Sequence, residues 1–131
     1  MTEANLLKNG DFTEGEKYWR AVAGEGQIAT VENGHARIGR GGQLEQEVRT
    51  GLTVGKLYRV QGEFTSIDGG TGKLRILENG AVKEVDIDKS GTFSRDFIFE
   101  RSSTEVLIAL QSTTQERGEI HADNLTLAEQ L

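Results

Sequence analysis

The chain has 131 residues, with 15 basic against 21 acidic side chains and a formal net charge of −6. That length suits one domain with a proper core, and the negative charge argues against a nucleic-acid backbone or an anionic lipid surface as partner, since both need concentrated Lys and Arg. Without a cysteine there is neither a disulfide framework nor a thiolate metal site, and 17 glycines with no proline suit many short strands joined by tight turns.

The chain opens with Asn5-Leu6-Leu7-Lys8-Asn9-Gly10-Asp11-Phe12, and Tyr18-Trp19 come after a short polar spacer. Asn-Gly favours the positive-φ geometry of a reversal, which carries Asp11 and Phe12 into a new setting. The residues ahead of it lack the basic start and apolar run of a signal peptide. No stretch approaches the roughly twenty apolar residues of a membrane-spanning helix.

Strand periodicity dominates the rest of the chain. Residues 26–31 and 35–38 alternate in polarity around Glu32-Asn33-Gly34, a hairpin turn. Over 43–49, Leu44, Gln46 and Val48 share one face, while Glu45, Glu47 and Arg49 share the other. Over 57–65, Tyr58, Val60, Gly62 and Phe64 lie opposite Arg59, Gln61 and Glu63. Residues 73–78 and 81–87 flank Asn79-Gly80 as a second hairpin. Then come 92–100 with Phe93, Phe97 and Phe99, the apolar run 105–111, and 119–128, with Ile120, Ala122 and Asn124 on one face. Some nine short strands and no clear helix predict an all-β, antiparallel sandwich.

Several fragments, in order, resemble the jelly-roll carbohydrate-binding modules of families four and nine, within the galactose-binding-like superfamily. They are the Asn5–Phe12 opening with Trp19, the segment Gly42–Val48, Leu52–Val60 with its turn and aromatic strand, Ser90–Phe93 with Phe97–Phe99, and the ending Ala122-Asp123-Asn124-Leu125-Thr126-Leu127. The resemblance spans nearly the whole chain as one domain, 1–131. It implies a jelly roll and a non-catalytic module that grips a polysaccharide or oligosaccharide on one sheet. It also implies a structural calcium where the opening meets the closing strand, at Asp11, Thr13, Glu32 and Asp123. Thr13 stands where the family usually has a carboxylate, and a neutral hydroxyl is a poorer calcium ligand.

Sugar rings pack on aromatic faces while planar polar groups read their hydroxyls. Phe12, Tyr58, Phe64, Phe97 and Phe99 fall on apolar faces and read as core, and the resemblance implies the same for Trp19, which leaves Tyr18 and Phe93 as exposed platforms. The polar candidates for the ligand are Arg59, Gln61, Glu63, Arg75 and Gln111, with Glu45 and Glu47 beside them. Alternating polar residues are equally what any solvated sheet face carries.

Catalytic signals are thin. His35 and His121 lie far apart without metal-ligand spacing, no Gly-x-Ser-x-Gly elbow occurs, and Gly69–Lys73 lacks the spacing of a phosphate loop. Two readings lead, ahead of a small glycoside-active enzyme for which the abundant carboxylates leave room. One is a glycan-binding module, extracellular or surface-associated if it belongs to a secreted protein. The other is a structural or assembly protein, such as a virion decoration or tail protein, with a protein partner or further copies of itself.

Overall fold

The computed structural model describes residues 5–78, 81–99, 105–114 and 117–130. They form ten strands: β1 (Arg20–Val22), β2 (Ile28–Glu32), β3 (His35–Gly39), β4 (Gln43–Val48), β5 (Leu57–Ile67), β6 (Gly72–Glu78), β7 (Ala81–Ile87), β8 (Gly91–Ile98), β9 (Val106–Ser112) and β10 (Glu119–Glu129). Two antiparallel five-stranded sheets result. Sheet I runs β1-β4-β9-β6-β7 and sheet II runs β2-β3-β10-β5-β8. Only β2–β3 and β6–β7 are neighbours both in sequence and in a sheet, so every other connection crosses from one sheet to the other. This is the jelly-roll sandwich.

Period-two alternation aims one face of each strand at the space between the sheets. Sheet I supplies Leu44, Leu74, Ile76, Ile108 and Leu110; sheet II supplies Ile38, Tyr58, Val60, Ile120 and Leu127, all buried in one cluster. Each such side chain contributes roughly 1.5–3 kcal/mol through burial. The Tyr58 hydroxyl accepts the Thr53 N–H at 2.6 Å, so its polar tip is not left orphaned. The β2–β3 turn has positive φ at both Asn33 and Gly34, the primed geometry that matches strand twist.

The chain's two ends are sewn together. Leu6 N–H donates to the Leu127 carbonyl and Leu125 N–H to the Gly10 carbonyl, both at 2.8 Å. The Asn5 carboxamide spans the same seam, accepting the Leu127 N–H and donating to the Leu125 carbonyl. Trp19 is buried beside Phe12 and its indole N–H donates to the Asn9 carbonyl at 2.9 Å.

Three expectations need correction. The short β1 went unpredicted because its three residues are all exposed and show no alternation. Phe93 is no open platform: it packs against the core, edge-on to Phe64 at 5.7 Å. Asn124 does not continue the inward face of Ile120 and Ala122. A bulge between Asp123 and Thr126, with Asn124 at φ 51°, turns Asn124 outward and restarts the buried face at Leu125. The opening Asn-Gly reversal does carry a positive φ, at Asn9, while Gly10 serves close approach. The Asn79-Gly80 turn and the Glu100 end of β8 lie outside the described residues.

Candidate functional site

The sequence-predicted ligand residues divide between opposite faces of the sandwich. Arg59, Gln61 and Glu63 lie on β5, in sheet II; Arg75 on β6 and Gln111 on β9 belong to sheet I. One surface cleft cannot contain both sets. The strand order decides this, since β5 and β6 are consecutive in the chain yet enter different sheets.

On sheet II the outward side chains of β5 stand open, and Arg59 is tied to Asp96 of β8 at 2.7 Å. Glu63 accepts a hydrogen bond from the Asn124 carboxamide at 2.9 Å. No outward residue of β5 or β10 is buried.

Sheet I differs. Strand pairing sets Arg20, Glu45, Ala109, Arg75 and Glu84 side by side across all five strands. Ala109 is 0 % exposed and Glu45 5 %, yet both point away from the core that Ile108 and Leu110 enter from the other side of β9. Outward residues so sheltered are covered by the longer polar side chains beside them. The row spans four inter-strand spacings of about 4.8 Å, or roughly 19 Å. Beside it runs a polar row of Gln43, Gln111, Lys73 and Asp86, and on its other side a mostly apolar row with Leu107, Leu77 and Val82.

Hydrogen bonds fix the polar heads. The Glu45 carboxylate accepts from Arg20 at 2.7 Å and from the Gln43 carboxamide at 3.2 Å. Arg75 donates through Nε to Glu84 at 2.9 Å and through Nη1 to Gln111 at 3.4 Å, and Lys73 donates to the same Glu84 at 3.1 Å. Lys73 and then Arg75 hold the Glu84 carboxyl below its ordinary range, so it stays ionised at neutral pH. Tyr18, 48 % exposed, stands at the β1 end, where it lines a recess of about 330 Å³ with Arg20, Glu45, Glu47, Arg49 and Leu107. Its backbone is left-handed (φ 73°), an unfavourable state for a bulky residue. The buried Gln46 carboxamide grips both the N–H and the carbonyl of Lys8, which holds the opening segment onto β4.

Of the sequence-predicted ligand residues, the structure places Tyr18, Arg75 and Gln111 on this face, with Glu45 and Glu47 beside them. The sequence-based reading missed Arg20, Lys73, Glu84 and the sheltered Ala109. Outward phase in β4, β6 and β9 was visible; that these strands are neighbours was not.

Three of the four candidate calcium positions line surface recesses. Asp11 and Thr13 line a recess with Asn124 and Thr126, whereas Asp123 lines another with His35 and Glu63. The Asp11 carboxylate accepts the Thr13 N–H at 3.2 Å and its hydroxyl at 2.9 Å, which lowers the Asp11 pKa. Glu32 pairs with Arg37 at 3.2 Å, and Asp123 accepts the N–H of Asn124 at 2.8 Å. Among the described residues no group of three or more His, Cys, Asp or Glu is placed to hold a metal ion.

His35 and His121, distant in sequence, stack at 4.6 Å on sheet II. His121 Nε2 lies 3.0 Å from Glu119, whose carboxylate is gripped by Arg37 through two hydrogen bonds.

Among the described residues no helix is long and apolar enough to cross a membrane. No family model matches the chain, and no curated protein matches it by sequence. Solved structures do match it in shape. The carbohydrate-binding module TmCBM61, solved in complex with β-1,4-galactotriose, superposes with a TM-score of 0.72 at 18% identity, over 97% of this chain and 99% of that one. A CBM4 carbohydrate-binding module gives 0.71 at 20%, over 94% and 99%. The enzymatically active domain of bacteriophage CBA120 tailspike protein 4 gives 0.71 at 12%, over 96% of this chain but 21% of that one. Identities this low speak for architecture alone, and the architecture shared with these structures is a jelly-roll sandwich.

Proposed function

We propose that this protein is a non-catalytic module that binds a soluble glycan chain along the outer face of sheet I. The observation that carries the reading is the sheltered row Glu45–Ala109–Arg75, where a small floor residue lies between ordered polar heads. A chain laid across the strands finds hydroxyl partners in Arg20, Arg75 and Gln111 and an apolar strip in Leu107 and Leu77. Tyr18 offers a ring face at one end. The length of the row favours several sugars in succession over a single one. The fold neighbours support the same reading, since they include a module solved with a bound galactotriose.

Isothermal titration against a panel of soluble polysaccharides and their oligosaccharides tests it. Binding is expected to strengthen with chain length and to weaken about tenfold or more in Arg75→Ala and Gln111→Ala, while Gln61→Ala on sheet II leaves it unchanged. No reducing ends are expected to appear in the bound polysaccharide. Binding lost in Gln61→Ala but retained in the sheet I variants would move the site to the other sheet.

A second reading is favoured by one observation, the likeness to part of a phage tailspike. In it the same sandwich serves assembly. Light scattering on the purified protein separates the two: a tight oligomer that binds no glycan supports assembly.

A further inference from the structure

We propose that the groove on sheet I selects uncharged glycan chains and discriminates against those bearing uronic-acid carboxylates. This rests on the glycan-binding reading above and narrows it to a substrate class.

The argument starts from the cations that an acidic sugar would need. Arg20 is paired to Glu45 at 2.7 Å and Arg49 to Glu47 at 2.6 Å. Lys73 and Arg75 converge on Glu84 at 3.1 and 2.9 Å, with Asp86 a further 3.9 Å neighbour of Lys73. Among the described residues, every cation on the outer face of this sheet's strands, and Arg49 just after β4, thus already has its counter-charge on the same face. Lys8 and Lys17 sit over the Tyr18 ring at the rim, each 5.3 Å from its centre, and not on the row itself.

A uronate entering the row competes with a resident carboxylate for its arginine or lysine. For Glu45 the cost is severe, because an almost fully buried carboxylate would lose its cationic partner. At Glu84 the entering charge would meet Glu84 and Asp86 at close range. A sugar hydroxyl faces no such exchange. It accepts from a guanidinium while donating to the neighbouring carboxylate, so it inserts into the charge ladder without breaking it. The protein's overall charge of −6 adds long-range repulsion against an acidic polymer. Selection here works by a repulsive element built into the site as well as by attraction.

The test compares a neutral chain (β-1,4-galactan or xylan) with polygalacturonate by titration in low-salt buffer, on the wild type and on Glu84→Gln and Asp86→Asn. Both substitutions remove a carboxylate at the edge of the sheet and loosen the hold on Lys73, and Glu84→Gln frees Arg75 as well. The wild type is expected to bind a neutral chain at least tenfold more tightly than the uronate. In Glu84→Gln the ratio of uronate to neutral affinity is expected to rise at least tenfold, and the gain to vanish at high salt. Wild-type binding of the uronate as tight as that of the neutral chain overturns the inference and leaves the glycan reading standing. A ratio unchanged in both variants overturns it as well. Binding of neither polymer class by any of the three proteins overturns the glycan reading, and this inference with it.

Discussion

The guanidinium of Arg20 stands in solvent, 69 % exposed, on a carboxylate that is almost wholly withdrawn from it, that of Glu45, at 2.7 Å. The buried partner fixes an exposed donor that would otherwise sample many rotamers. Glu45 also fixes Gln43, so one carboxylate orders two heads of the proposed groove. Glu45→Ala is therefore expected to weaken glycan binding about tenfold and to lower stability by roughly 1–2 kcal/mol. Titration and denaturant melts read the two effects separately. Unchanged affinity would show that Arg20 needs no anchor.

Ala109 and Ile108 are adjacent in β9 and both buried, but they face opposite ways. Ala109→Phe is expected to push aside the Glu45 and Arg75 heads that cover it and abolish glycan binding, at a smaller cost in melting temperature than a core change, because the ring projects away from the core. Ile108→Ala is expected to do the reverse. It opens a cavity between the sheets at a cost of about 2–5 kcal/mol and spares binding in the fraction that stays folded. Calorimetry on both variants checks the contrast.

Gly10 is fixed by contact. A Cβ there would overlap the carbonyl of Leu125, whose own N–H is bonded to the Gly10 carbonyl. Gly10→Ala must push the opening segment off β10, and a loss of roughly 2–3 kcal/mol is expected in urea melts. A variant as stable as the wild type would mean the seam yields cheaply.

Acid should release the Arg37–Glu119 pair. The two hydrogen bonds from Arg37 hold the Glu119 carboxyl at about 2, below its ordinary 4.5. A depressed carboxyl pKa adds stability above the unfolded value, so the contribution is complete at neutral pH. It is lost as pH falls from about 4.5 towards 2. Arg37, pushed upward by the same contact, stays charged throughout. Allowing for solvent screening, the pair is worth on the order of 1–2 kcal/mol. The melting gap between wild type and Glu119→Gln is expected to close over that interval. A gap independent of pH would sink the assignment.

The architecture was legible because alternation survives in nearly every strand. Leu44, Gln46 and Val48 face inward and Glu45 and Glu47 outward, as their spacing requires. The bulge at Asn124 was hidden because one left-handed residue shifts the phase of a strand without any sign in its polarity pattern. The site was only half legible. Whether Gln61 and Arg75 share a surface depends on which strands pair, and those pairings join residues remote in sequence. Glu45 looked like one more solvated carboxylate, since its burial comes from neighbours on β1 and β9.

The seam between Asn5–Gly10 and Leu125–Leu127 carries a kinetic consequence. Its hydrogen bonds join residues more than a hundred positions apart, so they cannot form until almost the whole chain has been gathered. Such topology places folding in the slow, millisecond-to-second class, with the seam expected among the last contacts made. Trp19, whose indole N–H is bonded to Asn9 of that opening segment, is the natural reporter. Its fluorescence is expected to reach the native value after circular dichroism has already recovered the sheets, giving refolding a late optical phase that Gly10→Ala would slow.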